Sequence, residues 1–179
     1  MHRNQLLQLL EKHRPFNATE TKFHQEITSF VKSHPMCFER SLMIGHVTGS
    51  AWILDKSRQY TLLTHHKKLN QWFQTGGHCD GDSNVLNVAL KEAEEETGLE
   101  NIGVLSNDIF DIDIHVIPER KGIPVHLHFD VRFLLEADMN QQLIVSSEST
   151  ALKWIQLSEV ADLNDSDSIM RMVEKSFKL

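Results

Sequence analysis

The sequence is short of cysteine, long apolar runs and positive charge, and each shortage excludes something. Two cysteines in 179 residues, Cys37 and Cys79, form no disulfide framework, which fits a reducing compartment. The opening "MHRNQLLQLL" lacks the apolar core of a cleavable leader. No apolar run approaches the roughly 20 residues that span a bilayer. A cytoplasmic protein without membrane contact is expected. The formal net charge of −7 gives the surface no general attraction for nucleic acid or anionic lipid, so no nucleic acid polymer is expected as partner. An anionic substrate would need local positive charge, which a bound divalent cation could supply. Repeats and low-complexity tracts are absent, and nothing in the chain specifies an oligomeric state.

What remains reads as a globular chain long enough to bury a sizeable core. Helices are expected over 1–14, where Leu6, Leu7, Leu9 and Leu10 cluster, and over 18–33. In the second, Phe23, Ile27, Phe30 and Val31 follow helical spacing, with Asn17 or Thr19 as cap. Short strands follow near 41–48, 51–55, 60–65 and 71–74. A helix over about 84–97 ends at Gly98. Strands near 109–117, 125–135 and 151–156 and a helix near 166–176 complete the chain. This order lacks βαβ alternation, so an α+β fold with a mixed sheet is expected.

The stretch "KEAEEETGLE", residues 91–100, holds five glutamates. Helical periodicity puts Glu92, Glu95 and Glu96 on one face, with Glu94 almost opposite. Leu86, Ala89, Leu90 and Ala93 make a neighbouring apolar stripe. Clustered carboxylates repel one another, yet suit a hard divalent cation that takes oxygen ligands.

The longer segment "GGHCDGDSNVLNVALKEAEEETGL", residues 76–99, resembles the Nudix box. Gly77, Glu92, Ala93, Glu95, Glu96, Gly98 and Leu99 stand at matching positions, whereas Ser83 replaces a glutamate and Lys91 an arginine. The resemblance implies an α/β/α sandwich with a mixed sheet over residues 39–179. Residues 1–38, which it does not cover, read as a helical extension packed on that core. It also implies a metal-dependent hydrolase that cleaves a phosphoanhydride in a nucleoside diphosphate linked to another moiety. Mg²⁺ or Mn²⁺ would be held by Glu92, Glu95 and Glu96, with the Gly76 carbonyl as a further oxygen ligand. Lys91, four residues before Glu95, would orient it, and Asp80 or Asp82 would stand in for the missing carboxylate. Glu148, on a loop before a strand, is the leading candidate for general base, ahead of Glu136. Proteins of this fold also serve as inactive nucleotide-binding modules or as isomerases of diphosphate substrates. The retained glutamates weigh against the first, and the second would rest on Cys79, which is otherwise a packing residue.

A second constellation needs no family. In "HLHFDVRF", His126, His128, Asp130 and Arg132 alternate with Leu127, Phe129, Val131 and Phe133, and "DIFDIDIHV" alternates likewise. Joined by "PERKGIP", the two strands read as antiparallel neighbours with one shared polar face. That face is either the wet side of a hairpin, or a substrate lining in which Arg132 clamps an anion. A zinc site from His126, His128 and Asp130 is a third reading. His78, directly after the glycines, joins the substrate-binding candidates.

Overall fold

The computed structural model describes residues 2–120 and 122–179. Met1, which opens the first expected helix, and Lys121, in the "PERKGIP" connection, lie outside the described residues. Helix α1 spans Asn4–Lys12 and buries Leu6 and Leu10. It stops at His13, whose extended ψ of 139° brings the chain to Arg14 and then Pro15, where helical backbone is disfavoured. Helix α2 spans Ala18–Ser33, and its cap is Asn17, whose side chain accepts a hydrogen bond from the Glu20 backbone at 2.9 Å.

The strands are β1 (Gly45–Asp55), β2 (Tyr60–His66), β3 (Gln71–Phe73), β4 (Thr75–His78), β5 (Gly103–Val104), β6 (Asp111–Ile117), β7 (His126–Ala137) and β8 (Ser149–Gln156). Helix α3 covers Val85–Thr97, a 3-10 helix covers Leu157–Asp162, and α4 covers Asp167–Ser176. Two strands expected over 41–55 are one. Gly49 does not interrupt it, because there the strand closely approaches the start of α3: a Cβ on Gly49 would lie 2.8 Å from the Val85 carbonyl oxygen. Gly98 ends α3 as expected, at φ +69° with its N–H on the Glu94 carbonyl.

The chain forms two compact units. The first holds Met1–Ser50, Gly76–Ala89 and Asn107–Phe133; the second holds Ala51–Thr75, Leu90–Ser106 and Leu134–Leu179. This division does not follow the sequence boundary at residue 38.

In the first unit, β1 lies between β4 and β7, and β6 pairs antiparallel with β7 in the register Asp111↔Arg132, Asp113↔Asp130, His115↔His128. The two alternating segments are therefore neighbours, as their pattern predicts. Both faces of β7 are buried from Phe129 to Leu135, which rules out a wet polar side there. The apolar face meets α2, where Phe30 stacks on Phe129 with ring centroids 3.9 Å apart. Glu20, fully buried on the same helix, accepts from His13 Nε2 at 3.0 Å, the Phe16 N–H at 2.6 Å and the Ile112 N–H at 3.1 Å. Buried carboxylates persist only when partnered in this way.

In the second unit, β2 pairs antiparallel with β8 over its length, with β3 at Thr64–His66, and with β1 at Leu54↔Thr61. Trp52, fully buried, donates its indole N–H to Ser176 of α4 at 2.9 Å. Among the described residues, no helix is long and apolar enough to cross a membrane.

Candidate functional site

Strand alternation assembles one polar layer in the first unit. His46, Thr48 and Ser50 come from β1, His78 from β4, and His126, His128, Asp130 and Arg132 from β7. Asp111, Asp113 and His115 come from β6 in cross-strand register. Alternation in "DIFDIDIHV" and "HLHFDVRF" points to the β6 and β7 members; on β1, His46 stands out in sequence as one of several histidines near the glycines, whereas Thr48 and Ser50 do not, although "HVTGS" carries the same alternation.

Five imidazoles meet at one end of this layer. Ring centroids lie 4.8 Å apart for His46 and His128, 5.0 Å for His46 and His78, and 5.0 Å for His78 and His128. His126 stacks at 5.2 Å from His46, and His115 approaches His128 at 5.3 Å. Burial, reinforced by neighbouring rings, pushes His46 down to about 4 and His128 lower still, so both are neutral at pH 7.

At the other end stands Arg132, 3% exposed. Its Nε donates to Asp130 Oδ2 at 2.7 Å and its Nη1 to Asp111 Oδ2 at 3.1 Å, with Asp113 Oδ2 3.5 Å from Nη2. Asp130 Oδ1 accepts from Thr48 at 2.8 Å and Ser50 at 2.7 Å. Burial alone would make Arg132 easier to deprotonate, but the three carboxylates outweigh it and raise its pKa. The expected anion clamp is thus replaced by a buried ion network. A guanidinium already enclosed by carboxylates is not offered to phosphate.

The turn before α3 uses its acids locally. Asp80 forms a bidentate ion pair with Arg40, which holds its carboxyl below the usual range. Asn84 caps the helix start, its side chain accepting from the Asn87 N–H at 3.3 Å, and Asp82 braces that turn by accepting from the Asn84 N–H at 2.8 Å and the Asn87 side chain at 3.2 Å. Cys79 is 4% exposed, and burial pushes its thiol far up, so it is a packing residue and no nucleophile.

The first unit also holds Gly76; the second holds the glutamates of α3 and Glu148. Along α3, Ala93 and Thr97 are buried, Glu92 and Glu96 half-buried, and Glu94 and Glu95 exposed. Lys91 Nζ lies 3.6 Å from Glu95 Oε1, the pairing that their spacing suggests. Beyond the helix, Ile144 donates its N–H to the Thr97 carbonyl at 2.7 Å and packs its side chain over Gly98. Glu148 is exposed, and its carbonyl accepts from the Lys67 N–H at 3.0 Å.

Carboxylate oxygens on one helix face suit a hard cation, and a carbonyl at Gly76 is of the same chemistry. The imidazole group is a donor set of another kind.

Known proteins share this architecture. The chain is 27% identical to the rat bis(5'-nucleosyl)-tetraphosphatase [asymmetrical] over 106 residues, 59% of this chain and 69% of the rat protein. A C. elegans Ap4A hydrolase binary complex superposes with a TM-score of 0.60 at 18% identity, covering 74% of this chain and 95% of that one. The MutT protein from Methanosarcina mazei Go1 gives 0.57 at 14% identity, covering 76% and 96%. At these identities the structures speak for the fold, which is the Nudix α+β fold with N-terminal helices added. The family model for the NUDIX domain matches residues 45–174, from the first residue of β1 to within α4. With most of its length matched to that model, the chain belongs to the Nudix family.

Proposed function

We propose that this Nudix pyrophosphohydrolase hydrolyses a phosphoanhydride bond in a nucleoside diphosphate linked to another moiety, using Mg²⁺ or Mn²⁺. The observation that carries the reading is the helical face of Glu92, Glu95 and Glu96, present in full despite the changes at Ser83 and Lys91. These three carboxylates would hold the metal. When bound, it would neutralise phosphate oxygens and make water a better nucleophile. Lys91, paired with Glu95, keeps that carboxylate directed along the helix surface. Glu148 is exposed and so open to water, and serves as general base in this reading. His78, His126 and His128 line the substrate's polar end, with Asp130 behind them. The helical extension, residues 1–38, supports the catalytic domain of 39–179 by packing on β6 and β7. Two buried free thiols accord with a cytoplasmic setting.

Among substrates, a dinucleoside polyphosphate ranks first because the rat and mouse relatives are named for a bis(5'-nucleosyl) tetraphosphate. The test is a panel of dinucleoside polyphosphates, ADP-ribose, oxidised nucleotides and nucleotide sugars with Mg²⁺ or Mn²⁺, read as released phosphate or nucleotide. Glu96→Gln should then stay folded and lose on the order of 10²-fold or more in turnover, as a metal ligand loses its charge. Undiminished turnover at saturating metal would remove Glu96 from the mechanism.

A further inference from the structure

We infer that His46, His78 and His128 form a second metal site, separate from the carboxylate face of α3, that takes a borderline transition ion of the Zn²⁺ class. Each residue offers a ring nitrogen, and the three nitrogens lie within 4.8 Å of one another. They come from three neighbouring strands, β1, β4 and β7, so the cluster has no contiguous sequence signature.

His46 points to a ligand independently of that spacing. It is 2% exposed, and neither ring nitrogen makes a well-formed hydrogen bond among the described residues, although the Leu42 carbonyl is close enough to favour its charged form. A buried imidazole normally satisfies both nitrogens, since an unpaired polar atom away from water is costly. His128 Nε2 is buried and unpartnered as well. A buried ring and a half-buried one, each with an idle buried nitrogen and both close to a third ring, are what a metal ligand set looks like before the ion enters.

The donor chemistry selects the ion. Neutral imidazole suits zinc, cobalt, nickel and copper, whereas magnesium and calcium take oxygen. His46 and His128 are held neutral at pH 7, the form that ligates. Tetrahedral zinc with nitrogen at about 2.0–2.1 Å sets its ligand atoms about 3.4 Å apart. The rings therefore need to close by no more than about 1.4 Å from the 4.8 Å limit, within reach of small χ1 and χ2 rotations. Three protein ligands leave the fourth position open for water or a phosphate oxygen. The neighbouring His126 and His115 rings pack around the ligands and restrain them.

The test uses tag-free, chelator-stripped full-length protein, titrated with ZnCl₂ and with CoCl₂ in the absence of Mg²⁺. Calorimetry and elemental analysis should give one tightly bound ion per chain, and cobalt should show the intense visible bands of a four-coordinate site. His46→Gln and His128→Gln should each weaken zinc binding by at least about a hundredfold, more than loss of an outer partner does. Glu96→Gln should bind zinc as the unaltered protein does, whether or not it hydrolyses anything. If His46→Gln fails to melt cooperatively, His78→Ala, at a half-buried ring, carries the same expectation. Absence of tight zinc in the unaltered protein, equal binding in the histidine variants, or loss of zinc only in Glu96→Gln would each overturn the site.

Discussion

Arg132 is the cation on which three buried aspartates depend. Replacing it by methionine keeps much of its volume but removes the guanidinium that Asp111, Asp113 and Asp130 share. Breaking a buried ion network in this way costs roughly 3–5 kcal/mol. Arg132→Met should therefore lower the melting temperature sharply, and a change confined to KM would contradict the network. The polar face itself was readable from alternation. What the sequence does not disclose is that the face is buried, because alternation gives direction and not what lies beyond. His46 and His128 carry a second consequence. In the unfolded chain a histidine takes up its proton near pH 6.5, whereas His46 in the fold does so only near 4. Between those values the unfolded chain binds more protons, so stability falls as pH falls through that window. Burial is the main cause; of the groups around His46, the His78 and His126 rings and nearby Arg40 oppose its charging, the Leu42 carbonyl favours it, and the His128 ring lies 4.8 Å away. Melting of metal-free protein between pH 7 and 4 should show this decline, and His46→Gln should lessen it while His128 keeps its share; a flat unaltered profile would contradict it.

Helix α3 was legible nearly to the residue because its signals are local: an apolar stripe, a glutamate face and a terminal glycine. Strand β4 was not, since "TGGH" carries neither alternation nor β-branched bulk beyond Thr75. The break expected inside β1 also failed, because the requirement for Gly49 comes from α3, which sequence order does not place against it. On α3, the exposed Lys91–Glu95 pair adds little stability, as surface ion pairs do. In the proposed mechanism its value lies in orienting Glu95. Lys91→Ala should lower turnover without moving the melting temperature, while Lys91→Arg should keep or raise it through a planar fork. Equal kcat/KM in all three proteins would make Lys91 a solvent-facing residue only.

The family resemblance begins after the first forty residues, yet those residues are built into the first unit. Phe30 stacks on Phe129, Glu20 holds the Ile112 N–H, and the Cys37 carbonyl accepts from the Val47 N–H at 2.7 Å. A chain of residues 39–179 loses all three. It should lack a cooperative thermal transition by circular dichroism, and a native-like melt would show that the extension is dispensable. A sequence reading places the boundary near residue 38 because the family's pattern stops there; tertiary contacts recognise no such line. The link between α3 and β8 has a different implication. Ile144 is bonded to Thr97 and packed over Gly98, while the Glu148 carbonyl is bonded to the Lys67 N–H. Only residues 145–147 separate these two anchors. Relatives that lengthen or shorten this connection can do so between Gln141, which is itself tied to Asp138 and Glu100, and Ile144 without disturbing Glu148. An insertion after Ile144 would shift the carboxylate off its position, so length variation in this family branch should collect on one side of that isoleucine.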